Sequence, residues 1–179
     1  MAMTLITNSA DTDSTDLTAI SFTSGIDSTY KLYIFKLINI NVATNGVEFQ
    51  FNVSTDGGSN YNLSKTSTYF QAYHPEDDSD YPFTYRPPND LANGTGDQII
   101  SQDPGSSADA NVCGTLWLFN PSQSTYVKHF YSVTSNDAQG YSEQAHAAGY
   151  VNSTSDIDAI IFRCSADNFD GTIKMYGVG

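Results

Sequence analysis

Between residues 30 and 53 apolar and polar positions alternate on either side of a turn: YKLYIFKLINI, then NVATNG, then VEFQFNV. Val47, Phe49, Phe51 and Val53 are separated by Glu48, Gln50 and Asn52, a period of two that sets the apolar residues on one face of a strand. In the preceding run, Leu32, Ile34, Lys36, Ile38 and Ile40 form one face and Lys31, Tyr33, Phe35, Leu37 and Asn39 the other. Both faces are largely apolar, which suits a central strand or one covered by a neighbouring subunit. TDGGSN at 55–60 tolerates positive φ and predicts a hairpin pairing 49–53 with 61–63.

The same theme recurs along the chain. A short strand is expected at 17–22 and an extended Thr- and aromatic-rich run at 64–73, with further strands at 112–119, 126–132, 157–164 and 172–176. Residues 141–151 read as an irregular extended segment. From 74 to 110 the periodicity lapses and Pro75, Pro82, Pro87, Pro88 and Pro104 punctuate the stretch, which predicts a long loop excursion without central strands. Eight or nine strands and no helix imply an all-β fold, an antiparallel β-sandwich of jelly-roll-like type with a long Pro-rich loop. Residues 1–16 read as a polar N-terminal arm and 17–179 as a single sandwich domain. Loops this long are uncommon unless they are functional or dock against something. Tyr73, Tyr81, Phe83 and Tyr85 in and beside it are therefore the candidate partner-contact residues.

Seven basic against twenty acidic residues give a formal net charge of -13. That balance opposes nucleic acid and anionic membranes as partners, because affinity there comes from Lys and Arg displacing counterions. Charged residues are only 15 % of the chain, so Ser, Thr, Asn and Gln supply most of its polarity. Aromatics at 13 % exceed what a disordered acidic segment carries, so the chain is expected to be ordered. The first residues lack a basic region followed by an apolar core, and no apolar run is long enough to span a bilayer as a helix. The expectation is synthesis in a cytoplasm, where the sequons at Asn52, Asn62, Asn93 and Asn152 stay unmodified. Cys113 and Cys164 read as buried free thiols, a disulfide between them being the alternative.

Candidate chemistry is sparse. His74, His129 and His146 accompany no G-x-S-x-G elbow and no Cys-His arrangement, so no catalytic residue is assigned and no enzyme is expected. His129 reads as a solvent-facing strand residue or a subunit contact. Glu76, Asp77, Asp78 and Asp80 could hold calcium, but their spacing does not match an EF-hand loop; a solvated acidic loop is the reading adopted, with no metal and no cofactor. Twenty acids make a chance carboxylate pair at glycosidase distance expected, so that count carries no information. Trp117 within LWLF reads as core, though an exposed tryptophan could stack on a sugar.

The segments FTSGIDSTYKLYIFKLINI, VEFQFNVSTDGGSNYN, STYFQAYH, LWLFNPSQSTYVKHF and the terminal GTIKMYGVG resemble a family of small virion-associated proteins of marine and freshwater tailed phages, over nearly the whole chain. The resemblance implies a virion component and carries over no catalytic residue. Together with the low charge and the absent active-site motifs, it suggests a capsid decoration or cement protein on the head exterior, assembled in the host cytoplasm. Its expected partners are further copies of itself, as a homotrimer, and the major capsid protein lattice. The alternative is a tail-fibre or receptor-binding module whose exposed tyrosines contact host glycans. A polysaccharide depolymerase is disfavoured by size and by motif content.

Overall fold

The computed structural model describes residues 2–9 and 12–179. Its elements in chain order are β1 (Met3–Asn8), β2 (Thr12–Leu17), β3 (Ile20–Phe22), β4 (Leu32–Val42), β5 (Phe49–Ser54), β6 (Lys65–Pro75), β7 (Phe83–Tyr85), a single 3-10 turn (Pro87–Asn89), β8 (Gln98–Ser101), β9 (Val112–Phe119), β10 (Lys128–Asp137), β11 (Tyr141–Val151), β12 (Ala159–Cys164) and β13 (Phe169–Val178). The fold is all-β. Nine strands form one antiparallel sheet, in the order β1-β13-β4-β9-β10-β11-β6-β7 with β2 also on β13, and four form the second, in the order β3-β12-β5-β8. The two sheets pack face to face as a β-sandwich.

Phenylalanines bind the layers together. Phe162 on β12 meets Phe35 on β4 at 5.5 Å between ring centroids, and within its own sheet it meets Phe22, Phe49 and Phe51 at 6.4, 6.3 and 6.3 Å. Phe49 reaches across to Phe169 at 5.2 Å and Phe51 to Phe130 at 5.1 Å, both edge to face. That geometry adds about 0.5–1.5 kcal/mol per pair beyond area burial. All seven rings are buried. The alternation at 47–53 is thus borne out: Val47, Phe49, Phe51 and Val53 all lie in the core. β4 is central as expected, between β13 and β9.

Several expectations need correction. The hairpin between 49–53 and 61–63 does not form: β5 pairs with β12 and β8, and residues 61–64 run without a strand partner before the chain enters β6 in the other sheet. A period of two specifies which face is buried and leaves the neighbour unspecified. The N-terminal arm is part of the sheet, since β1 pairs with β13 from Met3↔Val178 to Asn8↔Lys174 and β2 from Leu17↔Phe169 to Thr12↔Gly171; residues 1, 10 and 11 lie outside the described ones. The stretch 74–110 holds two short strands, β7 on β6 and β8 on β5, both at sheet edges, where proline nearby is tolerated. Residues 141–151 form a regular strand paired along its whole length with β6. Its small residues Ala145, Ala147 and Gly149 weaken the hydrophobic pattern while permitting close approach. A Cβ at Gly149 would lie 2.4 Å from the Thr66 carbonyl oxygen and 2.8 Å from Phe130.

Both cysteines are free; Cys164 is buried, and Cys113 is exposed rather than buried. At the small sheet's edge Asp97 receives Arg163 Nε and Nη2 at 2.5 and 3.0 Å and Asn52 Nδ2 at 2.8 Å. Buried Lys65 donates to Asn52 Oδ1 (2.7 Å) and to the Leu63 carbonyl (2.8 Å). Burial pulls the Lys65 ammonium down to about 8, against the attraction of Asp97.

Truncating the ring at the centre of the cluster tests this packing. Phe162→Ala is expected to lower unfolding free energy by about 3–5 kcal/mol. The check is urea denaturation, in which the midpoint falls while the slope m stays constant; a loss under about 1 kcal/mol would place the adhesion of the sheets elsewhere.

Candidate functional site

Beyond β9 the large sheet continues through β10, β11, β6 and β7, and here the inner face mixes polar with core residues while the outer face turns aromatic. Inward positions carry Asn136, Glu143 and Tyr73 in one cross-strand row, Thr134, Ala145 and Gln71 in the next, then Ser132, Ala147 and Tyr69. Outward positions carry Tyr131, His146 and Phe70. Polar residues face in because β8 and the segment after it, rather than an aromatic layer, cover this part of the sheet. Thr134 Oγ1 donates to the Ile100 carbonyl (2.5 Å), Asn136 Nδ2 to the Gln102 carbonyl (3.2 Å) and Gly105 N to the Asp137 carbonyl (2.7 Å).

Between this inner face and the covering segment lies an open cleft of about 580 Å³, lined by Gln71, Tyr73, Arg86, Gln102, Asp103, Tyr141 and Glu143, with Gly46, Ala138 and Gln139 at its margin. The β10–β11 turn shapes one wall. Gln139 and Gly140 have φ of 59° and 89°, the positive values of a two-residue hairpin turn that matches strand twist, and Ala138 N donates to the Tyr141 carbonyl (2.9 Å). Gln102 fixes the opposite wall, its Oε1 accepting from Arg86 Nε (3.1 Å) and Asn89 Nδ2 (2.6 Å) while its Nε2 donates to Asp103 Oδ2 (3.0 Å). Tyr73 and Tyr141 meet edge to face at 5.7 Å.

Gln71 and Glu143 are only 3 % and 4 % exposed, and one oxygen of each, Oε1 in both, has no hydrogen-bond partner. Burial, reinforced by nearby Asp103, pushes the Glu143 carboxyl up to about 7, while Arg86 and a backbone hydrogen bond from Gln102 pull the other way. A buried carboxyl poised near neutrality beside an arginine can donate or accept a proton in a hydrogen bond.

The other side of the same strands is aromatic. Trp117 stacks on Tyr131 at 5.4 Å and 22°, Tyr131 Oη is 2.8 Å from His146 Nδ1, His146 stacks on Phe70 at 4.9 Å and 8°, and Phe70 meets Phe83 at 5.2 Å. The row crosses five adjacent strands, a span of about 19 Å. Lys36 Nζ lies 6.0 Å over the Trp117 ring and donates to Thr115 Oγ1 (2.9 Å). Trp117, expected in the core, is half-buried on this outer face; in LWLF only Leu116 and Leu118 point inward.

The four residues singled out from the sequence do not form one site. Tyr73 lines the cleft. Phe83 (73 % exposed) joins the outer aromatic row, Tyr85 bonds through its hydroxyl to Asp90, and Tyr81 (77 % exposed) lies in the loop before β7. His129 is exposed on β10, as expected. The carboxylates of the acidic run take separate local partners, Asp77 the Ser79 amide and Asp78 the His74 ring. Among the described residues no three His, Cys, Asp or Glu side chains are gathered as a metal site. Glu143, Gln71, Arg86, Gln102, Asp103 and Tyr141 belong to no sequence motif; the one signal for them is that Gln71 and Glu143 fall at strand positions whose pleat faces the other sheet. No family of known proteins, no curated protein and no solved structure matches this chain.

The raised carboxyl has a measurable consequence. Glu143 holds its proton more tightly folded (about 7) than at its ordinary value of 4.5. Its stabilising contribution is therefore full below pH 4.5 and is lost as pH rises through 7, by up to about 3 kcal/mol. Glu143→Gln is expected to flatten this descent, so the difference between variant and wild-type urea midpoints should grow from pH 4.5 to 7 and then level. Parallel profiles would mean that Glu143 ionises like an exposed acid.

Proposed function

We propose that this protein is a structural component of a phage virion, a decoration or cement protein on the head exterior that docks with copies of itself and with the capsid lattice. The observation that carries the reading is the aromatic row on the outer face of the large sheet. Contiguous exposed apolar surface marks interaction sites, and interface cores are enriched in aromatics and depleted in charge. Trp117, Tyr131, His146 and Phe70, each half-buried, and the exposed Phe83 form such a contiguous aromatic surface, with Lys36 Nζ 6.0 Å over the Trp117 ring. The net charge of -13 continues to oppose a nucleic-acid partner.

Connectivity supports a jelly-roll body. With β6, β7, β10 and β11 set aside and β1 and β2 taken as one, the remaining eight strands lie as first-eighth-third-sixth in one sheet and second-seventh-fourth-fifth in the other. The four strands set aside are the ones that carry most of the aromatic row and much of the cleft. A second reading, a tail-fibre or receptor-binding module contacting host glycans, is favoured by one observation, the polar and tyrosine-lined cleft.

Immunogold electron microscopy of intact virions tests the proposal. Gold over the head is expected. Gold confined to the tail would overturn decoration in favour of receptor binding, and no gold on a well-labelled control particle would overturn the virion reading. In solution, light scattering is expected to give a trimer. Trp117→Glu, on the outer face, should retain the fold yet weaken self-association and capsid co-sedimentation at least about tenfold. A strict monomer that also fails to bind capsids contradicts the reading.

A further inference from the structure

We propose that the cleft between the inner face of β6 and β11 and the segment following β8 is a binding site for a neutral saccharide, with Gln71, Glu143 and Arg86 as its polar contacts and Tyr141 as its stacking ring. This deepens the glycan reading, on which it rests, and places recognition on the inner face of the sheet, away from the exposed Tyr81, Phe83 and Tyr85.

Two unmatched atoms mark the cleft. Gln71 Oε1 and Glu143 Oε1 are both buried, both belong to residues that line it and both lack a partner. A buried acceptor left unmet costs about 1–3 kcal/mol, and nearly all such groups in folded proteins are met by protein, water or ligand. Once Glu143 is ionised, above about pH 7, neither oxygen can relieve the other, since both are acceptors, and their strands are held in register along the whole length of β11. What meets them must bring O–H or N–H donors.

The remaining lining narrows the donor's identity. A cationic ligand would meet the Arg86 guanidinium in the same cleft, and an anionic one would meet Glu143 and Asp103. A neutral polyhydroxylated ring avoids both conflicts. Its hydroxyls can donate to Gln71 and Glu143 and accept from Arg86, which has five N–H donors and places its Nε on Gln102. A hydroxyl does both at a single atom, whereas an ammonium only donates. Sugar rings also present C–H faces, and Tyr141, 42 % exposed and braced by Tyr73, offers a ring at the mouth for such a face. A cleft of about 580 Å³ lies within the range of small-ligand sites, roughly 300–1,000 Å³.

The test uses the full chain with methyl glycosides of glucose, galactose, mannose and N-acetylglucosamine and their tetrasaccharides, first on an array and then by saturation-transfer NMR in solution. Saturable binding of at least one saccharide is expected, with transfer from tyrosine rings. Gln71→Met should weaken it about tenfold through loss of one hydrogen bond to a buried partner. Tyr141→Ala, at an exposed position where the fold is not at stake, should weaken it about three- to tenfold. Tyr126→Ala, at a more exposed tyrosine in the connection before β10, should leave it unchanged. No saturable binding by any of these saccharides overturns the proposal, as does binding that survives both Gln71→Met and Tyr141→Ala. Where the virion carries the protein determines the decoration reading independently, so either proposal can fail while the other stands.

Discussion

Four strands cannot cover nine. The small sheet reaches only part of the large one, and where it reaches, Phe162 and the rings around it lock the layers through a dry aromatic core. Past β9, beyond the Phe51–Phe130 contact at the start of β10, that cover thins to β8 and the segment joining it to β9. A connecting segment brings backbone carbonyls and amide side chains, and these must be hydrogen-bonded. The inner residues of β10, β11 and β6 therefore include Thr134, Asn136, Glu143 and Gln71 in place of phenylalanines. From that one mismatch in width come both the polar cleft on the inside and the broad bare face on the outside.

The alternation in β4 and β5 is legible directly because large apolar side chains face a dry core there. β9 is legible as a strand for the same reason, but not the side on which Trp117 lies, since an apolar run with aromatic neighbours looks the same whether its second face is buried or bare. β11 is harder. Ala145, Ala147 and Gly149 are small where Phe130 and β6 come close, and small residues give little periodic signal. Pairing is least legible: the turn at 55–60 is real, with Asp56 accepting from Asn60 N (2.9 Å) and Nδ2 (2.7 Å), but it sends the chain to the opposite sheet instead of back along β5. Local turn chemistry does not encode that choice.

The candidate site is less legible than the fold. Its polar contacts are separated by long stretches of chain, Gln71 from β6, Arg86 from the loop after β7 and Glu143 from β11, and no spacing rule connects them. Tyr73 stands out in the sequence for a different reason, at the end of an extended aromatic run beside the loop, and in β6 it braces Tyr141. Only with the register known does the inward row Asn136, Glu143, Tyr73 become a wall.

In the proposed arrangement the two surfaces divide the labour: the outer aromatic face joins neighbours, while the inner cleft faces a ligand. Hydroxyl-radical footprinting with mass spectrometry, performed on the purified protein across a concentration series, addresses the first claim most directly. Trp117, Tyr131 and Phe70 should be oxidised progressively more slowly as concentration rises and the protein associates, while exposed Tyr81 and Tyr126 keep constant rates. Equal rates for all five residues at every concentration, with the protein associating nonetheless, would show that the aromatic face stays bare and that copies meet elsewhere.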